Sequence, residues 1–297
     1  MTNVALRSDW FEAESVDSDL PTVTAMFRFL GTDVAVETAS VGLLQDWTAR
    51  YGAFRVQPGS PEITVQVHEH AGGAPVPGAV TIERDGQRWY WDGTGEVLPP
   101  LATPPLDRWV YLHGAAVGRA GQAVLLLGPP HAGKSLLALS VVARGAKLLA
   151  DGLLPLDPDD LLVAPFPEAL RLNRMELAQL AIDPAHPALV PFHTPAGTLQ
   201  WRADPRGLLG SRAATVAADA AAIVFVEAAA MAAPCLEPLA ADRARSLLAP
   251  SLHGPPARLE GPASHALTRL CEQVPSYRLG VGPVAATAKL LDDQLLA

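Results

Sequence analysis

The sequence predicts an α/β protein in two parts: a small strand-rich α+β domain, followed by a larger α/β domain built around a phosphate-binding loop. A glycine-rich segment, 128–135, lies between a short apolar run and a helix-forming stretch. Two proline pairs, at 99–100 and 104–105, separate it from earlier strand-like segments. The charge composition changes at the same place. Residues 1–105 carry 6 Lys/Arg and 14 Asp/Glu, whereas the remaining residues carry 16 Lys/Arg and 17 Asp/Glu. The predicted domains are therefore 1–105 and 106–297.

The glycine-rich segment has the spelling G-x-x-x-x-G-K-S. In this motif the first glycine makes a tight turn, and the second lets backbone N–H groups approach phosphate oxygens closely. The lysine places its charge on the β- and γ-phosphates, and the serine hydroxyl reaches Mg²⁺. A nucleoside triphosphate with Mg²⁺ is the predicted ligand. The residues predicted to bind the phosphates are Gly128, Pro129, Pro130, His131, Ala132, Gly133, Lys134 and Ser135.

The residues around the motif supply the required strand and helix. The run 123–127 is short and apolar, as a buried strand is, while 135–143 favours a helix that Gly145 would stop. Two residues depart from a plain phosphate loop. Pro130 has no N–H to offer. His131 is either a pH-dependent contact to the γ-phosphate or an exposed loop side chain.

The first domain is predicted to contain five strands and one helix. Apolar residues recur at helical spacing between Val41 and Tyr51, and Asp85-Gly86 is a strong hairpin signal between two strands. In chain order the elements are strands 22–29 and 32–38, helix 41–51, strand 63–68, and strands 79–84 and 87–91.

The second domain is predicted to alternate strands and helices around the loop. A strand at 109–116 precedes the loop unit, and a buried strand, 147–150, follows it and ends at Asp151. Prolines and glycines predict a mobile loop over 188–210. The remaining elements are an antiparallel pair 161–164 and 169–172, helix 175–181, strand 221–226, helices 240–248 and 263–273, strand 276–280, and helix 284–295.

Composition excludes several classes of protein. The chain has 297 residues, 49% of them hydrophobic, which is enough for a sizeable core. The acidic first domain argues against nucleic-acid binding there; it is either a soluble surface or a surface for a basic peptide. Cys235 and Cys271 form no metal or disulfide pattern. The most apolar stretch, 217–234, contains Asp219 and Glu227, so no membrane span is expected. The polar N-terminus carries no signal peptide, and we expect a cytoplasmic protein.

A second group of polar residues brackets the loop. His113 lies fifteen residues before Gly128, and Asp151 lies sixteen residues after Ser135. In a parallel sheet the carboxyl ends of neighbouring strands share one edge, so Asp151 is predicted beside the phosphates as a Mg²⁺ ligand or a proton acceptor. His113 would orient that carboxylate or share its proton. The alternatives are a turn at Asp151-Gly152 and a core histidine.

Three segments together resemble the HPr kinase/phosphorylase family and its relatives. They are the His-Gly strand 112–117, the strand, loop and helix of 123–139, and the stretch 144–151, which reads RGAKLLAD. The resemblance covers about residues 108–172. The tail VPSYRL, 274–279, is similar to the final strand of smaller members found beside peptide-modification genes. An HPr-binding signature is absent from the second half.

This resemblance implies a domain of the HPr kinase and phosphoenolpyruvate carboxykinase type and an ATP- and Mg²⁺-dependent serine kinase. Its substrate would be a peptide or small protein, including a ribosomally made precursor peptide, and relatives are often homo-oligomers. His113, Lys134, Ser135 and Asp151 fall on active-site positions. The family's second aspartate is replaced by Gly152. Either Asp151 serves alone, or a loop residue such as Glu168 helps, or the chain is a catalytically impaired nucleotide-binding module that recognises a peptide or partner enzyme.

Overall fold

The computed structural model describes residues 22–69, 80–84, 87–91, 108–194, 197–253 and 262–297. These residues form a mixed α/β structure with one large sheet. They divide into two compact units, which meet in sequence between Asp107 and Arg108. The turn predicted at Asp85-Gly86 and both proline pairs lie outside the described residues. No helix in the described part of the chain has the length and apolar character needed to cross a bilayer.

The first unit is a five-stranded sheet with one helix. Its strands are β1 (Val23–Phe29), β2 (Thr32–Thr38), β3 (Ile63–Glu69), β4 (Val80–Arg84) and β5 (Gln87–Trp91), and they lie in that order. Helix α1 (Val41–Tyr51) begins at Ser40, whose hydroxyl accepts from the Leu43 N–H. An aromatic cluster that includes Phe27, Phe29 and Tyr51 forms its core. The elements predicted from the sequence are confirmed here within a residue.

The second unit is built on an eight-stranded mixed sheet. The strands near the loop are β6 (Val110–Arg119), β7 (Gln122–Leu127) and β8 (Lys147–Leu156), and helix α2 (Lys134–Ala143) connects the last two. Strand β6 lies between β7 and β8 and runs antiparallel to both. The parallel neighbours assumed in placing Asp151 are therefore not adjacent, because β7 and β8 run in the same direction but are separated by β6. The hairpin of β6 and β7 places β6 beside β7, where a simple parallel crossover would have placed β8.

The remaining strands of this sheet extend it on both sides. On the β7 side lie β13 (Ala218–Ala230), β16 (Ser276–Val281) and β14 (Cys235–Leu239), of which β13 and β16 run parallel to β7. Beyond β8 lies the short β9 (Leu162–Val163), which pairs with both β8 and β13. The two-residue β15 (Leu252–His253) pairs with β6. Because β9 bridges β8 to β13, this part of the sheet closes on itself.

A separate three-stranded sheet covers one side of the large one. It consists of β10 (Leu170–Leu172), β12 (Leu199–Ala203) and β11 (Leu189–His193), in that spatial order and antiparallel. Short helices α3 (Arg174–Gln179) and α4 (Pro205–Leu209) flank its strands. The loop predicted over 188–210 is thus mostly regular structure. Likewise β9 and β10, predicted to pair with each other, each pair with other strands.

Helix α2 packs on the large sheet together with the C-terminal helix. The further helices are α5 (Ala241–Leu248), α6 (Pro262–Gln273) and α7 (Val284–Leu295). Buried residues of α2, β6, β7, β8, β13 and α7 form one core, which also takes in Leu170 and Trp201 of the small sheet. Arg119 and Arg144 both contact the buried Asp292 carboxylate, at 2.7 and 3.1 Å, and so hold α7 to the end of α2. Helix α2, which follows the glycine-rich segment, is therefore tied to α7 at its C-terminal end.

Candidate active site

The loop leaves β7 at Gly128, and the backbone there admits only glycine. Its φ is +141°, and a Cβ at this position would lie 2.5 Å from the carbonyl oxygen of Val226 on β13. That distance is far inside ordinary contact, and the obstacle is backbone, which cannot rotate away. The first glycine of the motif is thus required by the packing of the loop against β13 as well as by the turn.

We expect Gly128→Ala to destabilise the protein by about 2–6 kcal/mol, which sums the backbone strain and the overlap with Val226. Gly133→Ala is the matched control. Gly133 also has a positive φ, +86°, but open space around it, so its variant should lose only about 1–2 kcal/mol. Urea melts of the three proteins test the difference. Equal losses would show that the contact with Val226 does not matter.

The middle of the loop is exposed and its two ends are anchored. Pro129, Pro130 and His131 are exposed, while Ala132 is buried and its N–H donates to the Pro129 carbonyl at 3.3 Å. His131 has a φ of +63°, which holds it in a left-handed turn. Its exposure agrees with the interpretation as a loop side chain. A ligand would approach from the same open side, so the contact with the γ-phosphate stays a prediction.

The N-cap residue of helix α2 is Gly133, so no side chain at this position caps the helix. The first backbone N–H groups of a helix have no partner within the helix, and they carry the positive end of its dipole. Here they point towards the loop opening without a carboxylate or hydroxyl cap to satisfy them. The start of α2 therefore has the form of an anion site, as the motif predicts.

Lys134 lies inside the loop rather than facing solvent. Its side chain is 7% exposed, and its ammonium donates to the carbonyl oxygens of Gly128 and Pro129 at 2.8 and 2.9 Å. Burial lowers the pKa of Lys134, and the Asp151 carboxylate raises it in part. An ammonium group has three donors, so these two carbonyls leave one for a phosphate oxygen. Lys134 thus stabilises the loop through its two carbonyl contacts and places a positive charge inside the loop.

Ser135 and Asp151 are brought together across the fold. The Ser135 hydroxyl donates to Oδ1 of Asp151 at 2.8 Å, and both side chains are half-buried. Two oxygen ligands at neighbouring corners of a Mg²⁺ octahedron lie about 2.9 Å apart, given metal–oxygen distances of 2.0–2.1 Å. The pair therefore fits the oxygen chemistry and the spacing that Mg²⁺ requires. The turn interpretation of Asp151 is wrong, because β8 continues through it to Leu156.

His113 lies on the neighbouring strand and on the same face as Asp151. In the register of β6 and β8, Ala115 is opposite Asp151 and His113 is opposite Leu153. Directly opposed residues share a face, so His113 and Asp151 are diagonal neighbours, whose Cβ atoms typically lie about 7–8 Å apart. Ala115 belongs to the core beneath α2, so this is the face that carries the loop. The structure thus brings Lys134, Ser135, Asp151 and His113 to one side of the sheet.

Gly152 follows Asp151 on β8 and has a left-handed backbone. It pairs with Gly114 on β6, and its φ is +91°. A side chain there would be strained, and alternation along β8 would direct it to the opposite face from Asp151. A carboxylate at the position that carries the second aspartate in the resembled family would therefore be strained here and would lie on the other face from Asp151.

We expect Gly152→Asp to lose about 1–3 kcal/mol of stability and to gain no rate at any Mg²⁺ concentration. The strain at φ +91° is the cause of the loss, and the wrong face of β8 is the cause of the missing gain. Thermal melts read beside a Mg²⁺ titration of phosphoryl transfer test both statements. A faster enzyme at low Mg²⁺ would show that the added carboxylate reaches the site.

The acidic cluster after β8 is a turn and not a metal site. Oδ1 of Asp157 accepts from the N–H groups of Asp159 and Asp160, and Arg269 donates to the Pro158 carbonyl at 2.8 Å. No three His, Cys, Asp or Glu side chains among the described residues are grouped to hold a metal ion. A Mg²⁺ site on Ser135 and Asp151 does not need such a group, because Mg²⁺ keeps several waters and takes phosphate oxygens.

Two features of the site could not be foreseen from the motif. The Val226 carbonyl that excludes a side chain at Gly128 comes from β13, almost a hundred residues later. The segment before Glu168 runs along the edge of β8 opposite β6, where Phe166 forms a bridge with Ala150, and the motif gives no sign of this contact. Burial raises the pKa of the Cys271 thiol to about 11, so this thiol stays protonated at neutral pH.

Comparison with known proteins gives distant structural likeness and no match in sequence. No family model matches the chain, and no curated protein matches it in sequence. Among solved structures, the chain is similar to the HPr(Ser) kinase/phosphatase from Coxiella burnetii, with a TM-score of 0.33 and 14% identity. The match covers 62% of this chain and 86% of that one. A TM-score of this size adds nothing to what the site residues themselves show.

Proposed function

We propose that this protein binds ATP with Mg²⁺ at residues 128–135 and transfers the γ-phosphoryl group to a serine hydroxyl of a peptide or small protein. The hydrogen bond of 2.8 Å between Ser135 and Asp151 carries the proposal. It joins the metal-binding serine of the loop to a carboxylate from a different strand. An acid beside the serine of a phosphate loop can hold Mg²⁺ together with that serine, and an acid next to the γ-phosphate can also accept the proton of an attacking hydroxyl.

Each residue of the group has a role in this reaction. The backbone N–H groups at the start of α2 and the Lys134 ammonium would stabilise the charge on the β- and γ-phosphates. Asp151 would accept the proton of the substrate's serine hydroxyl as the oxygen of that hydroxyl forms a bond to the γ-phosphorus. The bond between the γ-phosphorus and the bridging oxygen breaks, and ADP leaves. Ser135 and Asp151 would hold Mg²⁺, which neutralises phosphate charge when it is bound. His113, on the same face, would orient Asp151.

A second candidate function follows from Gly152. This glycine stands where the resembled family has its second acid, and its positive φ makes a carboxylate there strained, which favours a catalytically impaired module that binds nucleotide and recognises a peptide or partner enzyme. Both candidates bind ATP, so binding does not separate them. Transfer of labelled γ-phosphate from ATP to arrays of serine-containing peptides does, with alanine counterparts of each peptide as controls. Mg²⁺-dependent labelling of serine peptides supports the kinase. Nucleotide binding supports the module if no acceptor is labelled and no phosphate is released.

A further inference from the structure

We propose that Glu168 supplies a second carboxylate to the Mg²⁺ site, from the chain segment that lies against the other edge of β8. This inference rests on the proposed nucleotide and Mg²⁺ binding. It assigns to Glu168 the position in space that Gly152 cannot fill. The metal-binding and proton-accepting roles would then be divided between Glu168 and Asp151, instead of falling on Asp151 alone.

The first support is the path of the chain beside β8. Phe166 forms a parallel bridge with Ala150, and its N–H donates to the Leu149 carbonyl at 2.7 Å. The chain then turns tightly, because the Glu168 N–H donates back to the Phe166 carbonyl at 3.0 Å. Because the bridge is parallel, the chain after Phe166 continues in the direction of Asp151 and Gly152, and the tight turn keeps the Glu168 backbone near this part of β8, at the edge opposite the one that β6 occupies.

The second support is the change of face that the chain makes at this point. Phe166 shares the face of Ala150, which is the face opposite Asp151, because directly paired residues lie on one side of a sheet and successive residues alternate. Four residues later, Leu170 belongs to the core beneath α2, on the Asp151 side. The chain therefore passes around the edge of β8 between these residues, and Glu168 is at the midpoint of that passage.

The third support is burial. Glu168 is 4% exposed, which is unusual for a glutamate. A carboxylate that is held in place by packing loses little further freedom when it binds a cation, and a divalent cation offsets the cost of burying its charge. Mg²⁺ is commonly bound by one or two carboxylates together with phosphates and water. Ser135, Asp151 and Glu168 would form such a set from three separate segments.

The test compares Glu168→Gln with Glu176→Gln in the full chain. Glu176 lies eight residues further on, is half-buried, and accepts from the Asn173 N–H in a capping box that glutamine also makes. Affinity for a non-hydrolysable ATP analogue is measured by calorimetry with Mg²⁺ and with a chelator. In Glu168→Gln we expect the gain in affinity that Mg²⁺ provides to fall at least ~10-fold, with the chelator value unchanged. Glu176→Gln should match the wild type in both.

Other outcomes decide against the proposal in distinguishable ways. If Glu168→Gln keeps the full Mg²⁺ effect while Asp151→Asn loses it, Glu168 is only structural and the proposed function stands. If the wild type shows no Mg²⁺-dependent binding, both proposals fail together. Should Glu168→Gln not fold, Glu168→Asp keeps the charge and withdraws it by one methylene. A normal Mg²⁺ effect in that variant would overturn the assignment of Glu168 as a ligand.

Discussion

Lys134→Ala should abolish phosphoryl transfer and weaken ATP binding at least ~10-fold, because the charge that faces the β- and γ-phosphates is lost. The buried position of Lys134 adds a consequence that the motif alone does not predict. The variant also loses the two hydrogen bonds to Gly128 and Pro129, and bonds from a charged donor are worth about 1.5–3 kcal/mol each at most. From the sequence alone we predict a solvent-facing lysine whose removal leaves the fold intact, and the burial of Lys134 shows that the predicted exposure is wrong.

Calorimetry with ATP and Mg²⁺ measures the binding loss, and a melting curve without nucleotide measures the effect on the loop. Lys147→Ala is the matched control, since Lys147 is exposed at the start of β8 and should change neither quantity. ATP affinity in Lys134→Ala equal to that of the wild type would contradict the assignment of residues 128–135 as a phosphate loop. A normal melting curve with lost binding would mean that the two carbonyl contacts contribute nothing to stability.

Asp151→Asn should reduce Mg²⁺-dependent phosphoryl transfer at least ~100-fold, the usual scale for losing a positioned acid or base. The amide is nearly the same shape and still accepts a hydrogen bond from the Ser135 hydroxyl, so the fold should be kept. What it cannot do is take a proton at neutral pH or bind Mg²⁺ as a carboxylate. The loss should therefore appear in the rate of transfer far more than in stability.

Single-turnover transfer of labelled phosphate, beside a melting curve, separates these effects. Asp159→Asn serves as the control, because Asp159 is an exposed carboxylate in the turn after β8 and lies outside the site. Near-normal turnover in Asp151→Asn would show that the Ser135 contact is structural and that the proposed mechanism is wrong at its centre. Equal losses in both variants would point to a general effect of removing negative charge.

The sequence by itself determined the local features of this protein. The glycine-rich loop, the strand before it and the helix after it follow from residue types and periodicity within about twenty residues. The same holds for the helix at Val41–Tyr51 and for the C-terminal helix Val284–Leu295, whose predicted bounds are those observed. Such elements are predictable because their hydrogen bonds and apolar faces are set by neighbours close in the chain.

Strand pairing was decided by the tertiary structure. The insertion of β6 between β7 and β8, and the division of β9 and β10 between two sheets, depend on contacts between residues far apart in sequence. A short apolar run is compatible with several partners and with either direction. Only the combined packing of the sheet against α2, α7 and the small sheet selects one of them.

The candidate site divides in the same way. Lys134 and Ser135 could be named from the motif, and Asp151 and His113 from their spacing and from a resemblance. The burial of Lys134, the close approach of Gly128 to Val226, and the bridge between Phe166 and Ala150 were decided by segments that meet only in the folded chain. The positive φ of Gly152 belongs with these, since β8 takes that backbone angle where it pairs with Gly114. Local sequence specifies which groups are present, whereas long-range packing specifies which of them face each other.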